Sequence, residues 1–173
     1  MLTGNGLKII QEVLRHWTSS MEPKQVYIDQ TIIVAFFQKT HIHHDKAVKV
    51  TALFLKEKAH YYCSFFGIRE AIISLIRGLS SNTSENATNS EKIIINKVLE
   101  YIQKVGITII FSHNDHIFAQ ILSVQSIYDV NFEIAMTTAI MLEHKLKYIL
   151  TFDDNYNEVI HKNLIIKADL PVA

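Results

Sequence analysis

The stretch Val26-Tyr27-Ile28-Asp29-Gln30-Thr31-Ile32-Ile33-Val34-Ala35-Phe36-Phe37 decides how the chain is read. Its first three residues are apolar and suit a short buried strand. A lone acid, Asp29, stands at the end of that strand. The apolar run behind it predicts a helix over roughly Ile32 to Gln38. An acid between a buried strand and a helix is either a turn or cap residue or a functional one.

Working outward, the same alternation recurs. On the N-terminal side Leu7, Ile10, Leu14 and Trp17 fall at helical spacing, and a break over Met21 to Lys24, with Pro23 inside it, separates that helix from the first strand. On the C-terminal side a polar turn rich in His leads into a helix from about His44, with Ala47, Val50, Thr51 and Phe54 on one side. His60 to Cys63 predicts a second strand. Ser64 is placed to cap the next helix, whose stripe is Phe65, Ile68, Ile72, Leu75 and Leu79. A Ser-, Asn- and Thr-rich loop runs from Gly78 to Ser90. Ser90 is expected to cap a helix carrying Ile94, Val98, Tyr101 and Val105, which Gly106 ends. Ile107 to Phe111 is a third strand. A loop with His113, Asn114, Asp115 and His116 follows, then a short helix to about Val124 and another from near Asp129, with Ala135, Ala139, Leu142 and Leu146 at core spacing. Tyr148 to Thr151 forms a fourth strand ending at Phe152-Asp153-Asp154, and Leu164 to Lys167 a fifth.

Strands separated by helices pair in parallel through helical crossovers. The expected fold class is α/β: a three-layer α/β/α sandwich around a central, mainly parallel sheet. Residues 1–22 are expected as a helical extension packed on the core or on an identical subunit, and residues 23–173 as the domain proper. In such sheets ligands bind beyond the carboxyl ends of the strands.

Composition narrows the class further. Of 173 residues, 49% are hydrophobic, which fills a globular core and argues against disorder. No apolar run approaches the ~18 residues that span a bilayer, and the N-terminus lacks the order of a secretory signal. A cytoplasmic protein without a membrane role is expected. The single cysteine, Cys63, cannot form an internal disulfide and reads as core filler. Asn82-Thr83-Ser84 and Asn86-Ala87-Thr88 match a glycosylation pattern that requires a secreted chain and often arises by chance. Formal net charge is zero, so contacts with phosphates must be local rather than a general basic surface.

Two carboxylates directly follow strands, Asp29 and Asp153, and a third, Glu70, lies about two turns into the helix behind the second strand. All three are expected at one edge of the sheet. Such a cluster repels itself unless a cation or shared protons neutralise it. Hard divalent cations such as Mg²⁺ prefer oxygen ligands. A bound metal can activate water and offset charge on a phosphoryl oxygen.

Taken in order, four segments resemble the PIN-domain family. VYIDQTIIVAFF is similar to its opening strand, first acid and following helix, and HIHHDKA to the polar turn after it. In YYCSFFGIREAI the step of six from Ser64 to Glu70 matches the family's Ser/Thr-to-Glu spacing, and KYILTFDDNY resembles its last motif. The resemblance covers about Val26 to Ile160. It implies a Mg²⁺- or Mn²⁺-dependent endoribonuclease acting on RNA, in a family that includes VapC-type toxins neutralised by a small antitoxin. Asp29, Glu70 and Asp153 would be catalytic and metal-binding acids, with Thr31 and Thr151 as supporting hydroxyls. For a further acid the resemblance leaves two candidates. Asp129, which matches in local wording (IYDVNFEIA), is the preferred catalytic and metal-binding acid, and Glu133, which lies nearer the expected spacing and four residues on, is its helper or substitute. A homodimer is the expected assembly. A PIN fold with a weakened site that binds RNA or protein without cutting is the alternative. The histidines 41, 43 and 44, like His113 and His116, are given no catalytic part by the resemblance.

Overall fold

A computed structural model describes residues 24–56, 59–79, 87–112 and 115–168. The N-terminal helix expected within residues 1–22, the centre of the Ser/Asn/Thr-rich loop and His113 lie outside them. The described chain runs β1 (Gln25–Ile28), α1 (Gln30–Phe37), α2 (His44–Phe54), β2 (His60–Ser64), α3 (Phe65–Leu79), α4 (Ala87–Val105), β3 (Ile107–Ile110), α5 (Asp115–Tyr128), α6 (Phe132–Glu143), β4 (Tyr148–Leu150), a 3₁₀ turn (Asp154–Tyr156), α7 (Asn157–His161) and β5 (Ile166–Lys167). The strands form one sheet in the order β3-β2-β1-β4-β5, and every pairing is parallel. The three-layer α/β/α sandwich read from the sequence is the observed architecture.

Alternating strand residues divide the core in two, because successive side chains on a strand face opposite ways. Val26, Ile28, Tyr61, Cys63 and Leu150 pack with Ile32 and Ile33 of α1, Phe54 of α2, Leu75 of α3 and Val98 of α4. Tyr27 and Ile149 face the other layer and meet Ile121 of α5, Ile134 and Met141 of α6 and Val159 of α7. Helices α1 to α4 thus cover one face and α5 to α7 the other. Cys63 is fully buried and its thiol is pushed up by burial, consistent with a packing role. Among the described residues no helix is long and apolar enough to cross a membrane.

Local chemistry sets the element ends. Asp29 caps α1, accepting from the Thr31 N–H. Ser64 Oγ accepts from the Gly67 N–H at 2.9 Å and so starts α3 as read from the sequence. Gly106 takes φ 75° beyond α4, a conformation that costs an L side chain but not glycine. Four expectations change. Helix α4 begins at Ala87, so Ser90 lies inside its first turn and is not its cap. Helix α5 runs on to Tyr128, about one turn past Val124. Helix α6 begins at Phe132 rather than near Asp129, capped by Asn131, whose side chain accepts from the Ile134 N–H at 2.9 Å. Asp129 instead takes a left-handed φ of 51° in the turn between α5 and α6. β5 is also shorter than expected, two residues rather than four.

The topology has one reversal. After β1 the chain moves to β2 and on to β3, whereas after β4 it moves the other way to β5. The switch point lies between β1 and β4, where the connections leave in opposite directions and open a crevice at the strand ends.

Candidate active site

Asp29 stands in that crevice. Its backbone N–H donates to Leu150 O at 3.0 Å, joining the ends of β1 and β4. Its side chain is buried, with the residue only 4% exposed. Oδ2 accepts from Thr31 Oγ1 at 2.6 Å, from the Thr31 N–H at 3.2 Å and from Thr151 Oγ1 at 2.9 Å. Oδ1 accepts from the Tyr156 hydroxyl at 3.2 Å.

The two threonines are oriented in turn by the backbone after β4. Phe152 N–H donates to Thr31 Oγ1 at 3.1 Å, and Asp153 N–H donates to Thr151 Oγ1 at 2.9 Å. A hydroxyl that accepts a backbone N–H has its own proton free for another acceptor. Both threonine protons therefore point at Asp29, and β1, α1 and the β4 loop are tied through one carboxylate. Burial nevertheless raises the Asp29 proton affinity above the ordinary carboxylate value, and the hydrogen bonds from Thr31, Thr151 and Tyr156 only partly offset it. Tyr156 is itself buried, and its hydroxyl is raised well above the usual tyrosine range by burial and then by Asp29. It stays protonated and donates.

Three further acids come from other elements. Asp153 caps the 3₁₀ turn after β4, its Oδ1 accepting from the Asn155 N–H at 2.9 Å. Glu70 projects from α3 and is ion-paired with Arg69. Glu133, in the first turn of α6, accepts from the Gln30 side-chain amide. Its proton affinity is raised by burial first, and then by the negative charges of Asp29, Glu70 and Asp153. Glu133 thus lies within electrostatic reach of Asp29, Glu70 and Asp153, although the four acids come from four separate elements. Asp129 is not among the charges acting on Glu133.

All the donors on this rim are oxygens, the ligand type that hard divalent cations take. Mutual repulsion leaves the cluster short of positive charge, so the chemistry of the donor set fits such an ion. The geometry is more open. Among the described residues no three His, Cys, Asp or Glu side chains converge closely enough to hold a metal. Glu70 and Glu133 are turned to Arg69 and Gln30.

Aromatic and basic side chains flank the acids along the same rim. On the β2–β3 side Phe65 and Phe111 stack at 5.4 Å between ring centroids, each about half exposed. On the β4–β5 side His43 stacks on Phe152 at 4.6 Å. Neither pair, nor Tyr156, nor Gln30, was singled out by sequence reasoning. Tyr156 had one available signal: a tyrosine just past the last acid, in a segment that must be buried, needs a partner for its hydroxyl.

No family model matches the sequence, and no curated protein does so. Among solved structures, the architecture is that of the PIN domain, as the sequence resemblance implied. The chain is similar to VapC20 of Mycobacterium tuberculosis, a toxin that cleaves the sarcin–ricin loop, with TM-score 0.60 and 12% identity over 78% of this chain and 94% of that one. It is also similar to PAE2754 of Pyrobaculum aerophilum, with TM-score 0.51 and 16% identity over 83% and 89% of the two chains. At these identities the likeness is one of fold.

Proposed function

We propose that this chain is a divalent-metal-dependent endoribonuclease that hydrolyses RNA phosphodiester bonds. The observation that carries the proposal is Asp29, buried at the β1/β4 switch point and held by three hydroxyls, with Glu133 feeling the negative charges of Asp29, Glu70 and Asp153. The PIN fold supports it, since PIN-domain nucleases generally use divalent metals and the similar VapC20 acts on RNA.

In this reading Asp29, Asp153, Glu70 and Glu133 hold Mg²⁺ or Mn²⁺. When bound, the ion supplies an activated water and neutralises charge on the phosphoryl group. The chain's own residues do the rest. Thr31 and Thr151 saturate Oδ2 of Asp29, and Oδ1, which accepts from Tyr156, keeps a lone pair for a cation. Tyr156 fixes the rotation of that carboxylate. Arg69 and Gln30 hold Glu70 and Glu133 until an ion competes for them. Between the two candidates for the further acid, the electrostatic coupling favours Glu133, with Asp129 shaping the α5–α6 turn. A toxin role with a small antitoxin, a cytoplasmic site of action and a homodimer remain parts of this proposal, carried by the family resemblance. An RNA-processing nuclease fits the same site.

One observation favours a second reading, a PIN-fold module that binds RNA or protein without cutting: among the described residues no three acids converge closely enough to hold an ion. Cleavage of mixed RNA in Mn²⁺, in EDTA and with Asp29→Asn separates the two. The nuclease cuts only with metal, and Asp29→Asn loses activity by orders of magnitude. Glu133→Gln loses far more activity than Asp129→Asn. Equal cutting by wild type and Asp29→Asn rejects the catalytic assignment. Absence of both cutting and saturable Mn²⁺ binding selects the binding module.

A further inference from the structure

The cleft on the β4–β5 side of Asp29 has no part in the chemistry above. It encloses about 310 Å³ between the start of α2 and the carboxyl ends of β4 and β5, at the small end of the ~300–1,000 Å³ seen for ligand sites. One wall is the stacked pair His43 and Phe152, with rings 28° from parallel. Lys46, in the first turn of α2, and Lys167, at the end of β5, also line it. Lys167 is paired at 3.1 Å with Asp154, whose side chain is 84% exposed. Among the described residues Lys46 makes no ion pair.

These cations share one small volume. The proton affinity of His43 is lowered by partial burial and then by Lys46, with Lys167 adding to it and Asp154 opposing. The cleft also adjoins the acidic rim. Thr151, which lines it, donates to Oδ2 of Asp29.

A ligand that satisfies every part of this cleft has a flat aromatic face and an anionic group. Inorganic phosphate would use the lysines and leave the rings idle. A neutral aromatic ligand would desolvate the Lys46 ammonium without pairing it. We infer that the cleft is a nucleotide subsite, in which a base continues the His43–Phe152 stack and its phosphate lies between Lys46 and Lys167. Single-stranded RNA is read largely through such stacking on aromatic side chains, backed by local positive charge. The inference rests on the proposed RNA hydrolysis in one respect: the bound nucleotide is the one flanking the scissile phosphate. Occupancy itself requires neither metal nor cleavage. Asp154 is the exposed, exchangeable partner that Lys167 gives up when phosphate arrives.

The test titrates the full chain, in EDTA, with 5′-AMP, 5′-UMP, adenosine and inorganic phosphate, following the His43 ring signals by NMR and affinity by calorimetry. The nucleotides should bind saturably and shift the His43 resonances, with adenosine and phosphate each about tenfold weaker or worse. Lys46→Ala should weaken 5′-AMP about fivefold, and Phe152→Leu about tenfold or more. Because Phe152 also packs against the core, His43→Ala serves as a second probe of the stack. Adenosine binding as tightly as 5′-AMP overturns the inference, as does phosphate doing so. So does nucleotide binding indifferent to both Lys46→Ala and His43→Ala, and so does no nucleotide binding at all, the outcome expected if the cleft receives a protein segment instead. RNA cleavage by a protein that binds no mononucleotide leaves the proposed function standing and removes the subsite. Mononucleotide binding without any RNA cleavage does the reverse.

Discussion

At the scale of single residues, Asp29 combines two roles that conflict in the metal-free protein. It caps α1 and anchors the β4 loop, yet it is an acid in a buried position whose proton affinity is raised by that burial. With the folded value above the unfolded one, near 4, the native state holds a proton that the unfolded chain has released. Stability is then greatest below the unfolded value and falls as pH rises through the folded one. In EDTA, wild type should lose thermal stability as pH rises from about 4 toward neutral, and Asp29→Asn should flatten that decline. At pH 7 the Asn variant should melt higher, by about 2–4 °C for each kcal/mol recovered. A variant that melts lower across the whole range contradicts the assignment. Tyr156→Phe removes the donor to Oδ1 while keeping the ring. It should weaken Mn²⁺ binding about tenfold, the cost seen when partners that orient metal ligands are lost, as measured by calorimetry. Unchanged affinity would show that Tyr156 serves packing alone.

At the scale of elements, the ends of α6 carry most of what the site requires from that helix. Asn131 starts it and thereby sets Glu133 in its first turn, two residues on. Asn131→Ala should cost about 1 kcal/mol in chemical denaturation and lower RNA cleavage by loosening Glu133. At the other end Lys145 takes a left-handed φ of 56°, and Leu146 N–H closes the turn onto Met141 O at 2.8 Å. Glycine is the residue that this termination favours. Lys145→Gly should stabilise the fold by about 1 kcal/mol or less and leave cleavage unchanged, because the turn lies at the far end of the helix from Glu133. These ends also show where sequence reading stops. Asp129 and Asn131 are both good cap residues within a few positions of each other. Which one caps depends on where Val130 is drawn into the core, where it is buried. The same limitation placed Ser90 at a helix start that lies three residues earlier.

At the scale of the whole molecule, the carboxyl rim of the sheet carries Phe111 after β3, Phe65 after β2, Asp29 after β1, Phe152 and Asp153 after β4, and Lys167 at the end of β5. That order follows the strand order β3-β2-β1-β4-β5 and cannot be read along the chain, where the same residues occur in a different sequence. Metal should act on the molecule as a unit. If the four acids share an ion, saturating Mn²⁺ binds the native state alone. It then stabilises that state by about 2.7 kcal/mol at a hundred times its dissociation constant, which thermal unfolding would register as roughly 5–10 °C for a chain of this size. Asp29→Asn should show little of this gain. An equal metal-induced shift in both proteins would place the ion elsewhere.

The strand and helix periodicities of this sequence determined the layered α/β fold, because burial of apolar faces is a local pattern repeated along the chain. The acids after β1 and β4 were legible for the same reason, since an acid that ends a buried strand must lie at the sheet's edge. Tertiary structure alone brought Glu133 within reach of the charge of Asp29, gave Tyr156 its hydrogen bond and set Lys46 and Phe152 around one cleft. Each of these depends on how strands are ordered and helices docked, and the free energy that fixes such long-range pairings is spread over the whole core rather than written in any one segment.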